Sequence, residues 1–157
     1  VDLISKTEKY RVVEFNPEDL GSLRLNTAAK GVIDFIGPDV MGRSMKINGP
    51  AFSAYYESNL IAVAGINLLW KGVGEAWVMF GCDPRNHFMF IHRTVVRYLN
   101  RLSEDLKLER VQAVVKANHW AGIEWVDRMG FDFEGEMRAY FNGETYLRYA
   151  KIFKRRK

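Results

Sequence analysis

The chain has 157 residues, 48% of them hydrophobic and 27% charged, with a formal net charge of +4. That length suits one domain around one core, and no segment approaches the roughly 20 apolar residues that a membrane span needs. The single cysteine, Cys82, excludes an internal disulfide and fits a reducing cytoplasm.

The C-terminal run Lys154, Arg155, Arg156, Lys157 carries as much charge as the whole excess, so the rest of the chain is balanced. A basic face for nucleic acid is therefore not expected on the folded part. We read a single domain over 1–153 and a basic tail over 154–157. Scattered histidines and one cysteine give no zinc-ligand spacing. No charged, then apolar, then small pattern opens the sequence, so no secretory signal is expected.

"KYRVVEF" (Lys9–Phe15) predicts a first strand. In "NPEDL" Asn16 suits a helix cap, Pro17 the first turn, and Glu18 and Asp19 the positive dipole end. Ala28, Ala29, Val32, Ile33 and Ile36 predict a second helix, ended by Gly37-Pro38. "DVMGRSMKINGP" reads as a loop. Three strands follow, "AFSAYYE", "LIAVAGINLLW" and "GEAWVMFGC", with turns at Ser58-Asn59 and Lys71-Gly72.

Asp83 and Pro84 cap the next helix, whose apolar residues Phe88, Ile91, Val95, Leu99, Leu102 and Leu106 recur every three or four positions. The strand "RVQAVVKA" leads into the short helix "HWAGIEWVDRMGF", and "FEGEMRAYF" and "TYLRYAKIF" form a hairpin about Asn142-Gly143. The order β-α-α-β-β-β-α-β-α-β-β asks for an α/β fold: a seven-stranded mixed sheet with helices on both faces.

That order resembles the GNAT N-acetyltransferase superfamily over nearly the whole chain. "RVVEFNPEDLGSL" is similar to its opening strand and helix, and "HWAGIEWVDRMGF" to its fourth helix, often N-x-x-A-I-x-x-Y-x-x-x-G-F. Aligned from Gly130-Phe131, His119 stands in the Asn slot, Gly122 in the Ala slot and Val126 in the Tyr slot. "GEAWVMFG", "FIHR" and "IEWVDRMGF" together resemble GNAT-like proteins of tailed bacteriophages, some of them virion-associated.

The resemblance implies acyl-CoA-dependent N-acyl transfer, with acetyl-CoA and an amine acceptor as partners. It places Phe80, Gly81, Cys82, Arg85, Arg93, Asn118 and His119 at the cofactor. In the family, glycines at the start of the third helix bring backbone amides to the CoA pyrophosphate. Here those slots hold Phe88, Phe90 and His92, and Asp83 adds a negative charge. Side-chain cations would have to compensate: Arg85 and His87 in part, with Arg93 one turn further on. Glu75 is the candidate base, or alternatively a polar residue closing a hairpin. The resemblance implies a Tyr as the acid for the leaving thiolate, a role that Val126 cannot fill. Tyr140 or Cys82 is the candidate, with nothing in the spacing to place either there, and the reaction can also proceed without a dedicated acid. Arg93, Arg97 and Arg101 form one stripe, read either as a solvated face or as a contact for an acidic partner protein or for the CoA 3′-phosphate. The competing functional reading is a catalytically silent GNAT-fold protein that binds a phage or host protein.

Overall fold

A computed structural model of the chain describes residues 5–6, 9–23 and 30–154. The elements run β1 (Ser5–Lys6), β2 (Tyr10–Glu14), α1 (Asp19–Leu23), α2 (Lys30–Ile36), α3 (Pro38–Ile47), β3 (Ala51–Tyr56), β4 (Asn59–Trp70) and β5 (Val73–Phe80). A 3-10 turn (Pro84–His87) leads to α4 (Phe88–Asp105), β6 (Arg110–Lys116), α5 (Trp120–Arg128), β7 (Asp132–Phe141) and β8 (Glu144–Ile152). The strands hydrogen-bond in the order β1-β2-β3-β4-β5-β6-β8-β7. The seven expected strands are β2–β8, and the two-residue β1, which lacks an apolar run of its own, adds an eighth.

The sheet is mixed. β2 with β3, β3 with β4, β6 with β8 and β7 with β8 are antiparallel. β5 and β6 are parallel, from Val73↔Arg110 to Glu75↔Gln112, and the intervening helix supplies the crossover that a parallel pair requires. β6 pairs with β8 along its whole length, Arg110↔Ile152 to Lys116↔Tyr146.

The chain forms two compact units, Val1–Asn67 with Trp77–Tyr98, and Leu68–Ala76 with Leu99–Lys157. In the first, Phe15, Leu20, Leu23, Ile33, Met45, Ala51 and Val63 make a buried cluster against which Met41, Leu60, Trp77 and Met79 pack. In the second, Val111, Ala113, Val115, Val126, Phe131 and Tyr149 are buried.

The segment read as a loop is mostly helix α3. Pro38 stands in its first turn after Gly37, whose φ of 92° breaks it from α2. Gly42, Arg43 and Ser44 dilute its apolar period, yet Met45 is buried, and Gly42 is small enough to sit against Pro17. Elsewhere the local signals hold. The Gly37 N–H bonds to the Ile33 carbonyl and closes α2. Ala28 and Ala29 lie outside the described residues, as do Arg155–Lys157 of the tail. Asn142 and Gly143 have φ of 52° and 73°, the left-handed pair that a two-residue hairpin requires.

Of the face assigned to α4, Ile91, Leu99 and Leu102 are buried, joined by Tyr98 and Ser103. Phe88 and Val95 are only half-buried, and Leu106 lies exposed beyond the helix end. The helix begins at Phe88 rather than directly after the Asp83-Pro84 cap, because a 3-10 turn over Pro84–His87 comes first.

Candidate active site

The candidate residues fall into both units. Phe80, Gly81, Cys82, Arg85 and Arg93 belong to the first, and Glu75, Asn118, His119 and Tyr140 to the second.

In the first unit, Phe80 is half-buried at the end of β5, and the chain then turns. The Gly81 N–H donates to the Ile61 carbonyl at 2.9 Å. A side chain on Gly81 would collide with the Leu60 carbonyl oxygen, so packing alone requires glycine here. The Cys82 thiol faces the same Ile61 carbonyl at 3.7 Å. Burial, and secondarily the Asp83 carboxylate, push its pKa up, so at neutral pH it is a thiol.

Asp83 caps the turn. Its carboxylate accepts from the Arg85 N–H at 3.0 Å and from the Arg85 guanidinium at 2.6 and 3.1 Å. These hydrogen bonds hold the exposed Asp83 at about 2. The Asp83 carbonyl also takes the Asn86 N–H at 3.2 Å. Two amides of this turn, and the Arg85 side chain, are thus engaged by Asp83.

The phenylalanines in the glycine slots have their own partners. Phe90 stacks on Tyr10 with centroids 3.9 Å apart and planes at 15°. Phe88 stacks on His92 at 5.5 Å. The Tyr10 hydroxyl and His87 Nδ1 lie 3.0 Å apart, and the Tyr56 ring sits 4.9 Å from Tyr10 and 4.8 Å from His87. No local pattern announces this cluster, since its members come from four separate elements, β2, β3, the 3-10 turn and α4. Arg93 is exposed one turn further along α4. A CoA pyrophosphate at this turn would therefore be met by side-chain cations rather than by a glycine-lined main-chain cradle.

In the second unit, Glu75 is half-buried on β5 and accepts a hydrogen bond from Gln112 Nε2 at 3.1 Å. Gln112 Oε1 accepts in turn from Arg110 Nε and Nη2, each at 3.3 Å. Arg110 forms a two-pronged pair with Glu134, one prong at 2.8 Å. That hydrogen-bonded pairing lowers the Glu134 pKa and raises that of Arg110. Glu75 is thus the end of a polar chain across the sheet rather than an isolated turn residue. Gln112 went unnoticed in the sequence, although one amide inside "RVQAVV" is a signal: a buried polar side chain demands a partner.

Asn118 and His119 are exposed at the start of α5. His119 holds the N-cap position without a side-chain cap bond. Its imidazole occupies the space a side chain on Gly122 would need, which explains glycine in the Ala slot. The short helix ends as its sequence asks. Gly130 has φ 85°, its N–H bonds to the Asp127 carbonyl, and the Phe131 N–H reaches back to Val126. Val126, in the Tyr slot, is core.

Tyr140 is half exposed on β7, with its ring 5.3 Å from Tyr146. The structure does not bring it to Glu75. β5 and β7 are separated by β6 and β8, about 14 Å across three strand spacings. Tyr140 lies further along as well, because Glu75 is level with Gln112 and Ala150 while Tyr140 sits beside the hairpin turn. A base and an acid serving one reaction must both reach the reacting atoms. The two do not form one pair.

Among the described residues no group of three or more His, Cys, Asp or Glu is placed to hold a metal ion, and no helix is long and apolar enough to cross a membrane.

No protein-family model matches the sequence, and neither does any curated protein. Solved structures do resemble it. A ribosomal-protein-S5-alanine acetyltransferase from Vibrio fischeri superposes with a TM-score of 0.72 at 14% identity, over 96% of this chain and 97% of its own. A spermidine N-acetyltransferase from Vibrio cholerae gives 0.70 at 14% identity, over 93% and 95%. A microcin C7 self-immunity acetyltransferase, solved with acetyl-CoA and AMP, gives 0.69 at 13%, over 94% of each chain. At these identities the likeness establishes the fold, which is that of the GNAT acetyltransferases.

Proposed function

We propose that this GNAT-fold chain is an acetyl-CoA-dependent N-acetyltransferase in which Glu75 takes the proton of the attacking amine. The observation that carries this reading is the Glu75 carboxylate held by Gln112 beside the short parallel β5–β6 ladder. A base must be held in a fixed orientation, and a hydrogen bond from a buried amide does that.

Acetyl-CoA supplies the acyl group when bound. Arg85 and Arg93 are the side chains of this turn and helix that would hold its pyrophosphate, with Phe80, Gly81 and Cys82 just before them in the chain; Asn118 and His119 are the further cofactor-binding candidates. The leaving thiolate needs no dedicated acid, because a thiolate is a good enough leaving group to depart unprotonated and then take a proton from water. Lacking one would cost about 10²–10⁴-fold in rate, so the expected enzyme is slow. Neither Tyr140, remote from Glu75, nor Cys82, bonded to a backbone carbonyl, is assigned that role.

A second reading is favoured by the turn before α4. Asp83 grips Arg85, and aromatic stacking fills the glycine slots. On that reading the fold is kept for contacts with a phage or host protein, in line with the phage-like motifs "GEAWVMFG" and "IEWVDRMGF". An assay of acetyl transfer over a panel of amines, including polyamines and N-terminal peptides, separates the two. Turnover that is lost in Glu75→Gln supports the enzyme. No turnover with any amine despite acetyl-CoA binding favours the second reading.

A further inference from the structure

On the second unit α5 and the β7–β8 pair enclose an open cleft of about 440 Å³ lined by Trp120, Ile123, Glu124, Asp127, Phe133 and Tyr149. None of these belongs to the candidate active site. Trp120, Ile123, Glu124 and Asp127 share one helix face, being spaced three and four apart. Opposite them the Phe133 ring meets Tyr149 edge-on at 5.6 Å. Trp120 is 76% exposed and Phe133 56%, so both rings offer accessible surface to the cleft.

The charge in the cleft has one sign. Glu124 and Asp127 contribute two carboxylates, and among the described residues neither is paired with a cationic side chain. Lys151, two residues after Tyr149 and so on the same face of β8, has its ammonium on the Met129 carbonyl at 3.0 Å. Aromatic faces beside unpaired carboxylates are the chemistry that takes up a cation with an apolar stem. Between the two basic side chains, arginine fits better: its planar guanidinium stacks on an indole while its edge donates to carboxylates.

The geometry points to this cleft as a docking site for an arginine side chain presented by a protein partner, separate from acyl transfer. The guanidinium lies on Trp120 and donates to Glu124 and Asp127, while its methylenes pack on Ile123 and Phe133. This inference is independent of whether the chain is an enzyme.

The test follows the indole N–H resonances of the full chain during titration with N-acetyl-arginine amide, with Trp120→Phe identifying the Trp120 signal. A saturable shift of that signal at millimolar ligand is expected. The isosteric but neutral N-acetyl-citrulline amide should bind at least about tenfold more weakly, as should arginine amide to the Glu124→Gln, Asp127→Asn double variant. Those substitutions preserve shape, and an unchanged circular dichroism spectrum confirms an intact fold. No saturable shift, an equal response to citrulline, or an unaffected double variant would each overturn the inference. A chain ended at Phe153 provides the last arm. If only the shortened chain binds, the occupant is its own basic tail and the protein partner is wrong.

Discussion

Gln112 Nε2 donates to the Glu75 carboxylate at 3.1 Å across the parallel pair of β5 and β6. Arg110 fixes the other end of that amide, and Glu134 fixes Arg110. On the enzyme reading, Gln112 is a positioning residue. Gln112→Leu should lower kcat by about tenfold or more while leaving acetyl-CoA affinity unchanged, since it frees the base without touching the cofactor. Equal losses in kcat and in acetyl-CoA affinity would show that Gln112 supports only the fold.

The outer end of the same chain makes a pH prediction. Hydrogen bonding to Arg110 lowers the folded pKa of Glu134 below its ordinary value of 4.5. A depressed carboxylate stabilises the fold above the unfolded pKa, and that contribution is lost as pH falls through the folded value. Wild type should therefore be more stable than Glu134→Gln at pH 7, and the gap should close as pH is lowered below 4.5. Because the pair is partly exposed, the gap should not exceed about 1 kcal/mol. A gap that widens in acid contradicts the assignment.

Asp19 ties α1 to β3 by accepting from the Ser53 hydroxyl at 2.6 Å and the Tyr55 hydroxyl at 3.0 Å. Ser53 is fully buried, so its hydroxyl has no water to turn to. Asp19→Ala should cost about 1–3 kcal/mol in urea unfolding. A cost near zero would mean that the segment relaxes around the loss.

Leu99 lies on the buried face of α4. Leu99→Ala should cost about 2–5 kcal/mol, as removal of core methylenes does. A value below about 1 kcal/mol would place the helix face wrongly.

Where the signal was local, the sequence disclosed the structure. The β-branched pair in "RVVE", the Asn142-Gly143 turn and the Gly130 cap each dictate their geometry within a few residues. The mixed sheet followed from the element order and is present. Helix α3 was hidden because Gly42 and Ser44 carry no helical signal, and its burial depends on Pro17, far away in sequence. The candidate site was legible as residue types and not as partnerships. Glu75 could be picked out, but its link to Gln112 crosses strands distant in the chain. Tyr140 was chosen for its chemistry, and only the strand order reveals its distance from Glu75. The grip of Asp83 on Arg85 spans two residues, so it was within reach of sequence reasoning.

Calorimetric titration of the full chain with acetyl-CoA tests the central claim most directly. The account predicts binding that depends on side-chain cations. Arg85→Ala should weaken it about tenfold or more, since one charge-assisted hydrogen bond to a phosphate is worth roughly 1.5–3 kcal/mol. Asp83→Asn, which loosens the grip on Arg85 and removes a negative charge, should tighten it. No heat of binding at millimolar acetyl-CoA would contradict the account and leave a GNAT fold used for protein contacts.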